Sequence, residues 1–372
     1  MNKVKLGELL TIKHGYAFKS ECYVDKSEYA LVTLANISSR NDFQFDKSKT
    51  TYYGGTFSDE FILHEGDLIL PLTEQVIGLF GNSAFVPSVS GHTFVLNQRV
   101  GKVIVKEDKA DKYYIHYLLS TKSVREQLEH RASGTKQRNI SPDDVYDVVV
   151  YVPDISAQQR IGKTLYGLEK KVKLNNLIND NLQQMAYDTF MHSFFRKESN
   201  GKLGDIIVEN AKSPIQVGDA KAANNGDIPF FTSGDAVLKW PEALVTGRNC
   251  YLNTGGNADV KFYVGDAAYS TDTWCITASG EMSDYLYLLL LSIKPELNQK
   301  YFQGTGLKHL QKPMLKDRPI YIPATKELDT FNKTVQPWFD MIASNVKESQ
   351  SLVALRDWLL PMLMNGQAVV ED

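Results

Sequence analysis

Residues 153–196 read PDISAQQRIGKTLYGLEKKVKLNNLINDNLQQMAYDTFMHSFFR. Ile161, Leu165, Leu168, Val172, Leu182 and Ala186 fall on one seam with alternating steps of four and three. A stripe that narrow belongs to a coiled coil rather than to the wide apolar face of a globular helix. Asn175 and Asn179 occupy seam positions where apolar residues are expected. Buried Asn at such positions costs stability and fixes register.

The pattern returns at the other end of the chain. Phe331, Val335, Trp338, Ile342, Asn345, Ser349 and Leu352 form an equivalent seam, and Phe331, Asn345 and Leu352 stand 170 residues after Ile161, Asn175 and Leu182. The same offset relates Gly134-Thr135 to Gly304-Thr305, Pro153 to Pro323, and Gly167 to Pro337, two breakers expected to bend their helices. The spacing predicts a tandem repeat of a globular unit followed by a long helix. Its boundaries are 1–152 for the first domain, 153–197 for its helix, 198–322 for the second domain and 323–372 for the second helix.

Between the helices the chain alternates β-branched and aromatic runs with Gly, Asn and Pro. Strands are expected at 29–34, 67–72, 99–105, 228–232, 261–264 and 274–277. Amphipathic helices are expected at 112–119 continuing into 124–130, and at 283–293. The fold class is therefore α+β. The second unit is shorter: 39 positions separate Gly265 from Gly304, against 68 between Gly66 and Gly134. A shared scaffold with unequal surfaces suits two domains that recognise different things.

A length of 372 residues suggests two or three domains. Cys22, Cys250 and Cys275 make no CxxC or Cys/His cluster, which implies a reducing compartment and no structural metal. No apolar run is long enough to span a bilayer, and the N-terminal stretch lacks a signal-peptide core. A cytoplasmic protein is expected. The net charge of −3 means that any nucleic-acid contact must come from local patches.

Such a patch recurs before each long helix. In the first half it contains Arg125, Arg131, Lys136 and Arg138, with Gln137 and Asn139 between; in the second, Lys294, Lys300, Lys308, His309, Lys312, Lys316 and Arg318, with Gln303. Charge runs alone are usually solvated surface. Recurrence at one structural place, in a Gly-Thr loop with amide side chains, points to phosphate and base-edge contacts. Arg99, Arg131, Lys136, Gln137, Arg138, Gln303, Lys308, His309 and Lys312 are the candidate DNA-binding residues. Lys170, Lys173, Gln183 and Gln184 lie off the seam and are candidates for gripping a protein partner.

Two motifs are imitations. Gly162-Lys163-Thr164 resembles the end of a phosphate-binding loop, but the first Gly of that motif is replaced by Ala157. Pro153-Asp154 with Glu169-Lys170-Lys171 mimics a nuclease signature, yet these residues begin and follow one helix and cannot converge as metal ligands. No nucleophile elbow, HExxH or dinucleotide loop is present.

The stretch Pro153, Ser156-Ala157-Gln158-Gln159-Arg160-Ile161, then Leu168-Glu169-Lys170-Lys171-Val172, Leu174-Asn175-Asn176, Met185-Ala186 and 190–195 resembles the specificity subunit of type I restriction–modification systems. Asn97-Gln98 within a strand and Ser270-Thr271-Asp272-Thr273 are similar to recurring target-recognition motifs of that family. The second helix departs at Thr325-Lys326-Glu327-Leu328-Asp329. The resemblance implies a non-enzymatic subunit with two target-recognition domains reading the halves of a bipartite double-stranded DNA site. It also implies two long helices pairing as an antiparallel coiled coil that sets the gap. Two methyltransferase subunits would dock on the helices, and restriction subunits would join for cleavage. S-adenosylmethionine, ATP and Mg would sit on those partners; this chain would hold no cofactor and no metal. An antiparallel return would bring the termini together at the first domain. A type IIB-like specificity subunit and a tandem protein-binding adaptor are the alternatives, with an enzyme third.

Overall fold

The computed structural model describes residues 1–223 and 225–371. The chain forms two compact units: Met1–Lys170 with the C-terminal stretch from Leu352, and Lys171–Ser351. Both long helices contribute to both units.

In the first unit, a five-stranded sheet has the order Tyr23–Val24, Tyr52–Tyr53, Tyr29–Val32, Thr93–Leu96, Ile62–Leu63. A four-stranded sheet has the order Leu10–His14, Val100–Val105, Leu68–Pro71, Ala84–Phe85. Leu68–Pro71 is buried along its whole length, so it reads as a continuous apolar run rather than an alternation. The expected single helix is two, Lys112–Leu119 and Lys122–Arg131. The break has a cause: the Ser120 and Thr121 hydroxyls donate to the carbonyls of Tyr117 and Leu118, both at 2.8 Å, and compete with the next helical turn.

The second unit repeats this plan with less material. Ile207–Glu209, Thr273–Ala278, Arg248–Asn253 and Val260–Val264 form one sheet; Val237–Trp240, Ile228–Phe231 and Ala268–Tyr269 form another. Each unit contains a parallel strand pair, Thr93–Leu96 with Tyr29–Val32 and Ala268–Tyr269 with Ile228–Phe231. The repeat extends to single bonds. Leu6 N–H donates to Val148 O and Leu203 N–H to Arg318 O, both at 2.9 Å. Lys5 pairs with Asp147 at 2.7 Å, and Lys202 with Asp317 at 3.0 Å. In each unit the opening strand thus closes on the strand that precedes its long helix.

The long helices are Ile155–Phe194 and Thr325–Met364, each of 40 residues. Neither Gly167 nor Pro337 interrupts its helix. Pro337 withholds one N–H, but the carbonyl it would have met belongs to exposed Lys333, where water can satisfy it. Within the second unit the helices run antiparallel. Asn175 Nδ2 donates to Glu348 (2.7 Å) and Ser349 Oγ (3.2 Å), and Asn345 Nδ2 donates to Asn179 Oδ1 (2.9 Å). Further along, Phe194 packs edge-on to Phe331. In the first unit, Ile161 and Leu165 share a core with Leu363 and Met364. There a Cβ on Gly366 would lie 3.0 Å from Met1 Cε, so the segment just after the second long helix meets Met1.

The seam is uneven. Leu168, Val172, Leu182 and Trp338 are only half-buried, whereas Phe190, Phe194 and Phe339 are buried. Where a helix end packs on its own domain as well as on its partner, it needs a broad apolar face, and a narrow seam underestimates it. The imitation motifs have structural roles. A Cβ at Gly162 would come within 2.4 Å of Asp111 Oδ1 and 2.7 Å of Tyr114 N, so this glycine lets the long helix cross the start of Lys112–Leu119. Asp154 caps the long helix by accepting from Ala157 N–H at 2.8 Å. Gln158 is buried and bonds the carbonyl of Pro153 at 3.0 Å and the N–H of Asp111 at 3.2 Å. Leu328 stands at the equivalent place in the second helix. That helix is fastened instead by Glu327, held at about pKa 2 chiefly by its bond from Lys197 and also by Tyr321.

Candidate nucleic-acid interface

In the first unit three segments meet at one edge. Leu72 N–H donates to Arg99 O (2.9 Å), and Leu72 O accepts from Ile140 N–H (3.0 Å). Thr73 then pairs with Asn139, and Glu74 with Arg138. The turn 97–100, the loop after Thr73 and the hairpin 133–139 are thereby stitched together, bringing Arg99, Lys136, Gln137 and Arg138 to one place. The hairpin requires Gly134: φ is +108°, and a Cβ there would lie 2.1 Å from Gln137 O.

The centre of this edge is Glu74, 1% exposed. Its Oε2 accepts from the backbone N–H groups of Gly78 (3.2 Å), Leu79 (2.9 Å) and Phe80 (3.2 Å). Its Oε1 takes Nε of Arg138 at 2.7 Å, with the guanidinium 5.7 Å from the centre of the Phe80 ring. One carboxylate thus shapes a loop and positions an arginine.

The second unit builds the same edge from different residues. Thr254 N–H donates to Asp272 O (3.2 Å), and Leu310 N–H to Thr254 O (3.0 Å). Gly256 N–H donates to Lys308 O at 2.9 Å. Gly304 has φ +151°, and a Cβ there would lie 2.5 Å from Leu307 O, so it matches Gly134 in contact as well as in sequence. Gln303, Lys308 and His309 are gathered here. Asp272 takes the place of Arg99, and no counterpart of the Glu74–Arg138 pair exists at Gly256 and Lys308.

Most of the basic cluster is engaged internally. Arg131 donates to Gln127 O (2.9 Å) and Asp147 O (3.2 Å), fastening a helix to the scaffold. Lys312 lies 4.7 Å above the Trp274 ring and 3.6 Å from Glu209; burial holds its ammonium below the ordinary lysine range, with Glu209 opposing. Arg318 pairs with Glu296, Lys294 with Asp259, and Arg125 with Asn82. Gln303 bonds Lys300 O at 3.1 Å. Lys136, Lys308 and Arg99 are exposed and carry no side-chain ion pair among the described residues. They are the cations at these edges that face solvent.

Asn97-Gln98 is not within a strand. It opens the turn between Thr93–Leu96 and Val100–Val105, and Ser270–Thr273 forms the corresponding turn of the second unit. In both, the fourth residue's N–H returns to the first residue's carbonyl at 2.9 Å. The periodicity carries the run straight through because both flanking strands are apolar.

On the long helices, Lys170 is exposed and Lys173 half-buried. Gln183 donates to Tyr287 OH (3.0 Å) and Gln184 to Asp188 (2.9 Å). The sequence reading missed an apolar outer stripe, Leu174, Leu177, Ile178 and Met185 in the second unit, with Leu355 and Trp358 exposed in the first. The i, i+3, i+4 spacing of the first three was its available signal. Among the described residues no group of His, Cys, Asp or Glu could hold a metal, and no helix is long and apolar enough to cross a membrane.

Comparison with known proteins gives a consistent result. The type I restriction modification DNA specificity domain matches residues 1–184 and again 197–344. The type I restriction enzyme MjaIX specificity subunit of Methanocaldococcus jannaschii is 21% identical over 327 residues, 77% of this chain and 75% of that protein. The MjaVIII specificity subunit of the same organism is 22% identical over 181 residues, 49% of this chain and 42% of its own length. In fold, the S subunit of a type I restriction–modification system from M. genitalium superposes with a TM-score of 0.66 at 14% identity, covering 98% of this chain and 96% of that one. With two copies of the family's domain, each joined to a long helix, this chain belongs to the specificity subunits of type I restriction–modification systems, the non-catalytic members of those enzymes.

Proposed function

We propose that this chain reads a bipartite, asymmetric double-stranded DNA target, one half with each edge described above, and holds two methyltransferase subunits on its long helices. The observation that carries the reading is the twice-built junction of turn, strand end and Gly-Thr hairpin, which exposes Lys136 in one copy and Lys308 in the other. A scaffold repeated with unlike side chains is what two different half-sites require. The methyltransferase subunits grip the outer stripe around Leu177 together with Lys170, Lys173, Gln183 and Gln184. S-adenosylmethionine, ATP and Mg belong to the methyltransferase and restriction subunits, in a cytoplasmic assembly.

Methylome sequencing of cells carrying this chain with its partner subunits tests the reading; a split adenine-methylated motif is expected. In the purified complex, Lys136→Ala and Lys308→Ala should each lower the salt dependence of DNA binding by about one unit per lost phosphate contact. A flat salt dependence in the unmodified complex would favour a protein-binding adaptor.

The helices would also set the unread gap. Inserting four residues after Asn176 adds about 6 Å and roughly one helical turn, so the seam is nearly preserved. A gap longer by one or two base pairs with both half-sites unchanged is expected at about 3.4 Å per step. An active variant with the original gap would refute this role.

A further inference from the structure

Val76 and Ile77 are the most exposed large apolar side chains among the described residues, at 79% and 77%. They crown the loop that leaves Thr73 beside the hairpin of Lys136. Leu307, also largely exposed, sits at the tip of the second unit's hairpin, next to Lys308 and His309. Scattered exposed apolar residues need no explanation. These three occupy the two equivalent edges, at loop tips flanked by the cations that face solvent.

The first tip is also fixed in shape. Three consecutive backbone N–H groups below it, at Gly78, Leu79 and Phe80, converge on one Glu74 oxygen, and Arg138 closes the other. A loop clamped in this way has little conformational entropy left to lose on binding. Holding two β-branched side chains in water on a rigid support is unfavourable unless something apolar meets them. On an edge that also presents Arg99, Gln137 and Lys136, that something is the hydrocarbon part of a base pair.

Resting on the DNA-reading function proposed above, we infer that Val76 with Ile77 in the first domain, and Leu307 in the second, are base-contacting residues. They supply apolar contact to the half-site their own domain reads, beyond the polar contacts of the neighbouring cations. The apolar surface they meet is a thymine methyl in the groove or the face of a base step they open.

The test uses the complete complex with its methyltransferase subunits. Val76→Ser with Ile77→Ser should relax the methylated motif at one or more positions of the first half-site and leave the second intact. Leu307→Ser should do the converse. Affinity for the target should fall roughly tenfold or more, since burying such a side chain is worth more than the ~1.4 kcal/mol of a tenfold change. Replacing thymine by uracil in the target, or following 2-aminopurine fluorescence, separates the two surfaces. A loss in the first, or an increase in the second that the variant abolishes, supports the inference. An unchanged motif and affinity in both variants overturns it. If the unmodified complex shows no bipartite motif, the DNA-reading function fails instead.

Discussion

Arg138→Ala should destabilise the first domain by about 3–5 kcal/mol, seen as a lowered denaturation midpoint. The arginine is the ionic partner of Glu74, whose side chain has almost no access to water. Removing it leaves a buried carboxylate with only backbone donors to compensate its charge. The double variant Glu74→Gln with Arg138→Ala should recover part of the loss, because a neutral amide avoids most of the penalty of an unpaired charge. Lys308→Ala, at the equivalent place in the second domain, removes an exposed side chain and should change stability by no more than about 0.5 kcal/mol. A weakened DNA interaction in Arg138→Ala would therefore mix folding with recognition, whereas Lys136→Ala isolates recognition. Equal stability of Arg138→Ala and the unmodified chain would show that the pair does not shape the loop.

Val335→Asp should abolish stable folding of the second unit. Val335 is fully buried in a core that includes Phe194, Phe331 and Phe339. A carboxylate placed among those rings loses its hydration and costs several kcal/mol, comparable to the whole stability of a domain. Trp338→Asp, on a half-buried position, should cost clearly less. Leu177→Asp on the exposed stripe should leave the melting temperature nearly unchanged while co-purification of the methyltransferase is lost. A soluble Val335→Asp chain with an unaltered melting curve would contradict the packing described here.

The helices were the most legible part of the chain because their evidence is periodic and repeated. The 170-residue offset places both starts, and the forty-residue lengths agree. Gly134 and Gly304 were visible for the same reason, and each proves to sit where a Cβ would strike its own hairpin. The basic clusters were legible as sequence but not as chemistry. Lys312 and Lys136 look alike in a list of charges; one lies on Trp274 beside Glu209, the other faces water. Val76 and Ile77 escaped notice because two apolar residues in a row ordinarily signal burial.

From the sequence alone came the tandem repeat, the α+β class, the two long helices, the Asn residues that fix their register and the family resemblance. All of these are carried by local pattern and its recurrence. The tertiary structure decided which cations are engaged internally, that Glu74 organises the first edge, and which apolar residues face outward. The physical reason is that pairing and exposure depend on partners distant in the chain: Glu74 and Arg138 stand 64 residues apart, and Asp259 and Lys294 stand 35 apart. No local window contains both members of such a pair, so their charges can be counted from the sequence but not assigned.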